Sequence, residues 1–150
     1  MKKLLLFLLT AILSMPLIMN AQFTATFGTG TDATTTGGSP GAPMSYGGAY
    51  SWTQQIYRAA EFTAANVPAG AIILSIEFYN ATGATLMSDL RTYMGLCSND
   101  YFSGTSAWVP YNTLTLVDSG DWNAPAGWFE IQLDQPYVWD GTSNLVVGVS

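Results

Sequence analysis

The feature that most constrains the fold is an alternation of apolar and polar side chains in several short segments. It runs through residues 72–79, 90–97 and 129–133, and residues 114–117 and 145–149 are short apolar runs bounded by turn residues. Successive side chains of a β-strand point to opposite faces, so a period of two predicts strands. With no sustained helical period, the sequence predicts an all-β antiparallel sandwich, with a jelly-roll arrangement favoured.

The alternation also predicts which side chains face the core. The apolar face of residues 72–79 is made by Ile72, Leu74, Ile76 and Phe78. Glu77 and Arg91 lie on the polar faces of their strands, so an ion pair between them is expected if these two strands pair. Glu130 shares a polar face with Trp128 and Gln132 and is expected to be solvated.

Four segments carry more specific expectations. A first strand is predicted at residues 23–27, and a short helical turn within residues 99–109. Residues 55–62 fit a strand, but Ala59-Ala60-Glu61 also fits a helical turn. Asp118-Ser119-Gly120 is typical of a turn that ends the strand at residues 114–117.

Residues 1–21 have the features of a cleavable bacterial signal peptide. Lys2 and Lys3 precede an apolar run over residues 4–18, and Ala21 is the small residue that a signal peptidase requires. The run is shorter than the roughly 20 residues of a spanning helix. We therefore expect cleavage after Ala21, export to the cell surface or the medium, and no membrane insertion of the mature chain.

The remaining chain divides into two parts. Residues 22–48 contain the predicted first strand and a lead-in loop rich in Gly, Thr, Ser and Pro, and residues 49–150 form the predicted sandwich. Because the sequence stops directly after the apolar run at 145–149, the sandwich is expected to be incomplete at its C-terminus.

Composition argues against several functions. Beyond the predicted signal peptide the only cations are Arg58 and Arg91, against ten acidic residues in the chain, so a nucleic-acid-binding patch is not expected. The absence of histidine excludes Ser-His-Asp and Cys-His triads and the commonest zinc sites within this segment. Glu61, Glu77 and Glu130 remain as candidate glycosidase carboxylates, with solvated or ion-paired roles favoured. The sequence therefore predicts a non-catalytic chain.

The sequence contains candidate residues for two kinds of binding site, one for calcium and one for carbohydrate. Asp118, Asp121 and Asn123 lie within six residues and carry oxygen ligands that suit calcium, although Asp and Asn are also ordinary turn residues. No other cofactor is expected. Carbohydrate recognition would use exposed aromatic rings, and Trp122, flanked by Asp121 and Asn123, is the favoured candidate together with Trp108. The alternative is that these rings, like Trp52 and Trp139, pack in or at the edge of the core.

Residues 50–149 also resemble a known type of module. The resemblance is carried in order by Ser51-Trp52-Thr53-Gln54-Gln55-Ile56-Tyr57, Ile76-Glu77-Phe78-Tyr79-Asn80, Arg91-Thr92-Tyr93-Met94-Gly95, Trp108-Val109-Pro110, Val117-Asp118-Ser119-Gly120, Gly127-Trp128, Ile131-Gln132-Leu133-Asp134 and residues 136–145. These segments are similar to an N-terminal β-sandwich module of secreted and surface Bacteroidota proteins. The resemblance implies type IX secretion and adhesin or fibronectin type III-containing architectures, with no shared catalytic residues.

The sequence thus favours a non-catalytic binding or structural module of an exported protein, serving adhesion, ligand contact or spacing. A carbohydrate-binding module is one alternative, and the accessory N-terminal domain of a secreted protease or glycosidase is the other. The expected partners are a glycan or an extracellular protein, and not a nucleic acid.

Overall fold

The structure is a computed structural model that describes residues 22, 24–27, 51–80, 85–104 and 107–150. The predicted signal peptide and residues 28–48 of the lead-in lie outside the described residues. The described part contains strands, one short α-helix and one 3-10 helix. In chain order these are β1 (Thr53–Tyr57), α1 (Ala59–Ala64), β2 (Ile72–Asn80), β3 (Thr85–Cys97), the 3-10 helix (Tyr111–Thr113), β4 (Thr115–Ala124), β5 (Gly127–Val138) and β6 (Asn144–Val149).

The strands form two antiparallel sheets. One has four strands in the order β1-β6-β3-β4, and the other pairs β2 with β5. Most strands that follow each other in sequence, such as β2 and β3, therefore lie in different sheets, whereas β3 and β4 are consecutive and pair with each other. This arrangement confirms the predicted all-β, sandwich-like fold. Jelly-roll closure stays a prediction, because a jelly roll has eight strands and the described residues contain six.

The two sheets pack through a largely aromatic core. At one end Trp122, Phe129 and Ile131 are buried together with Val149. At the other end Trp139 is only 1% exposed and stacks on Phe62 of α1, with 4.5 Å between the ring centroids. The Trp139 ring N–H donates to the backbone carbonyl of Ser143 at 2.8 Å, so the buried indole nitrogen is satisfied.

The chain between β3 and β4 covers the other side of the four-stranded sheet. Gln54 of β1 holds this segment against the sheet by two hydrogen bonds. Its side-chain amide donates to the carbonyl of Val109 at 2.9 Å and accepts the Val109 N–H at 2.9 Å. The Tyr93 and Tyr111 hydroxyls share a hydrogen bond of 2.7 Å. The pKa of Tyr93 is raised, mainly because the hydroxyl is buried and secondly because of this hydrogen bond. With both faces covered, every residue of the central strand β6 is buried.

Three further segment predictions concern residues 23–27, 55–62 and 99–109. Residues 24–27 form no strand, so the predicted first strand is wrong for that part; Phe27 instead packs its ring on Tyr57 and Phe62. The helical alternative for Ala59-Ala60-Glu61 is confirmed by α1, in which Glu61 accepts the backbone N–H of Arg58 at 2.7 Å. In the described residues 99–104 and 107–109 no helical turn forms.

Three predictions depend on strand pairing and on bulges, which are not local properties of the sequence: two are wrong, and the condition of the third is not met. β4 continues through Asp118-Ser119-Gly120, where a turn was predicted, because it pairs with β3 as far as Ala124. Glu77 and Arg91 lie in different sheets and form no ion pair. In β2 an irregularity between Ile73 and Ser75 reverses the alternation, so the expected core residues Ile72 and Leu74 are 60% and 41% exposed.

Candidate functional site

The structure places the three predicted calcium ligands on β4, and they do not converge. Asp118 is 9% exposed and accepts the ring N–H of Trp122 at 3.2 Å, so its carboxylate points toward the core. Asp121 and Asn123 are exposed and alternate with the buried Trp122, which puts them on the opposite face. The Asp121 carboxylate accepts the backbone N–H of Asp89 at 2.9 Å. Within the described ranges no group of three or more acidic, histidine or cysteine side chains could hold a metal ion.

Trp122, the favoured sugar-stacking residue, is a core residue. Its side chain is 5% exposed, and its ring packs against Phe78 and Phe129 with centroid distances of 6.1 and 6.2 Å. A ring enclosed in this way has no free face for a ligand. The structure thus supports the alternative that the sequence left open, in which Trp122 holds the two sheets together.

Trp108 is placed differently. It is 44% exposed in the chain between β3 and β4, where its ring packs against Phe102 at 5.6 Å. Its predicted role in ligand binding stays a prediction. Trp52 is half-buried over β6 and contacts Tyr93 and Tyr111, as the packing alternative requires.

An open concavity of about 230 Å³ lies between the edges of β4 and β5. Its lining residues are Asp118, Ser119, Gly120, Asp121, Trp122, Asn123, Phe129, Glu130, Ile131 and Gln132. It therefore includes the predicted site residues of β4, although their carboxylates are divided between two faces of the strand. Its other wall is formed by β5, whose solvent-facing side chains lie in regular cross-strand pairs with those of β2.

That arrangement is the solvent-facing side of the β2–β5 sheet, which we call the outer face. It consists of three cross-strand pairs: Ser75 with Gln132, Glu77 with Glu130, and Tyr79 with Trp128. The intervening pairs, Ile76 with Ile131 and Phe78 with Phe129, point into the core. Since alternate residues of a strand share a face, burial of the second set fixes the exposure of the first.

Tyr79 and Trp128 form an exposed aromatic pair on this face. They are 40% and 49% exposed, their ring centroids are 5.5 Å apart, and the ring planes meet at 67°. Phe78 and Phe129, one residue along each strand, pack in the core beneath them. The backbone that carries the two rings is therefore fixed by the packed side of the sheet, while the rings themselves stay uncovered.

The neighbouring pair carries two negative charges. Glu77 and Glu130 are both exposed and directly opposite each other, an arrangement that destabilises a sheet when the charges are alike. The Gln132 amide donates to Glu130. Both arginines are engaged elsewhere: Arg58 with Glu61 at 3.6 Å and Arg91 with Asp89 at 3.2 Å. Among the described residues, the two glutamates therefore have no cationic partner.

The far end of the same sheet is apolar. The irregularity in β2 exposes Ile72 and Leu74, and the cross-strand partner of Ile72 is Val138, itself 55% exposed. The solvent side of β2–β5 thus has apolar groups at both ends and carboxylates between them. Such a concentration of exposed apolar side chains is typical of a contact surface.

Sequence reasoning missed this face, although the residues carried a signal. Tyr79 follows Ser75 and Glu77 at intervals of two residues, and Trp128 precedes Glu130 and Gln132 at the same interval, so each large ring lies on the polar side of its strand. A ring on a solvated face does not contribute to the core. The pairing of Tyr79 with Trp128 required knowledge that β2 pairs with β5 rather than with β3.

The chemical groups on the outer face are suited to contact with a partner molecule. A glycosidase also uses two carboxylates, but it holds them on either side of a bound sugar. Glu77 and Glu130 instead project side by side from one open sheet surface, where nothing among the described residues excludes water from them. Exposed rings beside hydrogen-bond acceptors are the composition of a binding surface.

Comparison with known proteins adds no family to this description. No protein-family model, no curated protein and no solved structure matches the chain. Within the described residues no helix is both long enough and apolar enough to cross a membrane. The predicted resemblance to Bacteroidota surface modules therefore stays a prediction.

Proposed function

We propose that the chain is a non-catalytic binding module of an exported bacterial protein, and that its outer face contacts an extracellular partner. The single observation that carries the proposal is the exposed pair of Tyr79 and Trp128 on a sheet whose other side is packed. Tyr and Trp are enriched at interfaces because they bury a large apolar area while keeping a polar group for hydrogen bonding.

The free energy expected from burying apolar surface supports binding through these two rings. Burial of apolar surface contributes roughly 25 cal/mol for each Å² removed from water. Ordering of side chains at the interface is one of the costs of association. Tyr79 and Trp128 combine a large exposed area with only two side-chain torsions each, so the entropy lost when a partner covers them is small for the area buried.

Export is the second part of the proposal. It is supported by the basic and apolar features of residues 1–21 and by Ala21 at the expected cleavage position. N-terminal sequencing of the chain recovered from the medium or the cell surface is expected to begin at Gln22. A chain that keeps Met1 and stays inside the cell would contradict export without affecting the outer face.

A carbohydrate ligand is a second candidate for the same face. Aromatic rings stack on sugars, and the carboxylates and the Gln132 amide would bind hydroxyl groups. The predicted Trp122 cannot serve this role because it is buried. The candidate would therefore use Trp128 in its place.

Substitution of single aromatic residues tests the binding function. Trp128→Leu removes the ring from the outer face, and Tyr101→Leu is the control, since Tyr101 is an exposed aromatic residue (73%) in a different part of the fold. Each purified variant is applied to a glycan array and to an array of basic, neutral and acidic peptides. We expect wild type and Tyr101→Leu to bind the same probes, and Trp128→Leu to bind at least tenfold more weakly. Equal binding by both variants would contradict the assignment of this face.

A further inference from the structure

We propose that the outer face binds an extended, lysine- or arginine-bearing segment of a partner protein. The cation would lie between Glu77 and Glu130, and its aliphatic stem would lie along the rings of Tyr79 and Trp128. This inference rests on the proposed binding function and specifies the chemistry of the ligand.

The first argument is the uncompensated charge. Glu77 and Glu130 face each other across the β2–β5 ladder, and the arginines of the described residues are paired with Glu61 and Asp89. Like charges in this position oppose strand pairing. An ammonium or guanidinium group between them would remove the repulsion and gain charge-assisted hydrogen bonds to two carboxylates. The pair is therefore unfavourable in the free chain and favourable in a complex with a cation.

The second argument is the adjoining aromatic pair. Tyr79 and Trp128 are two residues along their strands from Glu77 and Glu130, on the same face. A cation within about 6 Å of an aromatic ring is attracted to the ring face. The ring planes meet at 67° and so form no continuous flat platform of the kind that stacks along a sugar chain. Carboxylates together with non-coplanar rings suit a cationic side chain better than a neutral glycan.

The charge of the whole chain points the same way. The formal net charge is −6, with ten acidic residues against four basic ones, two of which lie in the predicted signal peptide. A surface of one sign attracts oppositely charged partners over distance and accelerates their association. Anionic glycans, nucleic acids and anionic membranes are repelled by the same field.

The shape of the face favours an extended segment. The line from Ile72 to Tyr79 spans about 23 Å at roughly 3.3 Å per residue. Along it lie exposed apolar side chains, then the carboxylates, then the rings. A partner strand in which every second side chain points toward the sheet could place a basic residue over the carboxylates and apolar residues on either side.

The test uses two matched peptides and one matched control variant. The probes are a twelve-residue peptide of alternating lysine and threonine and the same peptide with glutamine in place of lysine. The double variant Glu77→Gln/Glu130→Gln removes the proposed site. Asp89→Asn/Asp121→Asn removes the same charge from the β3–β4 ladder, where the Asp121 carboxylate accepts the backbone N–H of Asp89.

We expect wild type to bind the lysine peptide at least tenfold more tightly than the glutamine peptide, with binding weakened at high salt. Glu77→Gln/Glu130→Gln is expected to lose at least tenfold in affinity, and the control less than threefold. Glu77→Gln/Glu130→Gln should also unfold at the same temperature as wild type or at a higher one, because it removes the repulsion between the two carboxylates. This result would exclude misfolding as the cause of lost binding.

Three outcomes would overturn the inference. Equal losses in the two double variants would show diffuse attraction to an acidic protein instead of a site. Equal binding of the two peptides would show that the cation is not recognised. Trp128-dependent binding of neutral glycans without binding of the lysine peptide would remove the cationic ligand and leave the proposed binding function intact. If Trp128→Leu changes no binding to any probe, the proposed function itself is contradicted.

Discussion

At the residue scale, the inner face of the four-stranded sheet contains unexpected polar groups. Thr92 is 0% exposed, and its hydroxyl oxygen has no hydrogen-bond partner among the described residues. Its cross-strand neighbours are Val149 on one side and Asp118 on the other. A buried hydroxyl without a partner loses its hydration and gains nothing in return. The hydroxyl of Thr92 therefore lowers the stability of the fold.

We predict that Thr92→Val stabilises the protein by about 1 kcal/mol, because it replaces the unpaired hydroxyl by a methyl group of similar size. Urea unfolding monitored by tryptophan fluorescence measures the change. Thr92→Ser keeps the hydroxyl and removes the methyl, so it should destabilise the fold. A loss of stability in Thr92→Val would show that the hydroxyl has a partner, such as buried water.

Asp140 illustrates a turn residue whose role is local. Its carboxylate accepts the hydroxyl of Ser143 at 2.6 Å and the backbone N–H groups of Ser143 and Thr142 at 2.8 and 2.9 Å. These bonds, led by that of the Ser143 hydroxyl, lower the pKa of Asp140 from 3.8 to about 2. They hold the turn before β6, as expected for Asp and Asn in turns.

Because the folded-state pKa of Asp140 is lowered, its contribution to stability is fully present above pH 3.8 and is lost as the pH falls toward 2. We predict that the stability difference between wild type and Asp140→Asn shrinks over this range. Unfolding measured at several pH values gives the difference, and NMR titration of the carboxyl group gives its pKa. An Asp140 that titrates near 3.8 in the folded chain would contradict the described hydrogen bonds.

At the scale of single elements, β6 requires a glycine. A Cβ atom at Gly148 would lie 2.9 Å from Cη2 and 3.3 Å from Cζ2 of the Trp52 ring. β6 is an inner strand of its sheet, and the Trp52 ring packs directly on it, so neither can shift without disturbing the other. Gly148 therefore permits the close packing of Trp52 on the strand.

We predict that Gly148→Ala destabilises the fold by about 1–3 kcal/mol through overpacking. Gly104→Ala is the control, since a Cβ there would meet nothing within 4 Å. Thermal unfolding compares the two. In a Trp52→Leu background the cost of Gly148→Ala should fall by at least half, and an unchanged cost would show that Trp52 is not the cause.

In β2 and β3, bulges and irregularities of pairing decide on which face of the sheet each side chain lies. In β3 Asp89 has a φ of 57°, and Ser88 and Asp89 lie opposite Asp121 alone. In β2 the irregularity after Ile73 brings Ile73 to the core and leaves Ile72 and Leu74 exposed. A shift of one residue reverses the faces of everything beyond it, which is why alternation predicted the strands but misassigned these ends.

At the scale of the whole molecule, Trp122 and Trp128 have opposite roles although they lie on consecutive strands. Trp122 is buried between the sheets and Trp128 is exposed on the outer face. We predict that Trp122→Leu lowers the free energy of unfolding by about 3 kcal/mol, through lost packing and the lost partner of Asp118. Trp128→Leu should lower it by less than about 1 kcal/mol. Guanidinium unfolding followed by circular dichroism measures both, and similar losses would contradict the assignment of inside and outside.

The sequence by itself determined where most strands lie, because the period of two is a local property of the backbone. Residues 72–79, 90–97, 129–133 and 145–149 all fall within strands, and the all-β class followed from them. Of the candidate site, the sequence identified Glu77 and Glu130 as exposed groups but placed the aromatic ligand contact at Trp122.

Only the tertiary structure decided which strands pair and which face is covered. The Glu77 carboxylate lies opposite Glu130 instead of Arg91 because β2 and β3 lie in different sheets. Trp122 is inside and Trp128 is outside because β4 turns Trp122 toward the opposite sheet, whereas β5, which lies in that opposite sheet, turns Trp128 toward solvent. Alternation divides a strand into two faces, but the energy of burial, summed over distant segments, selects which of the two faces the core.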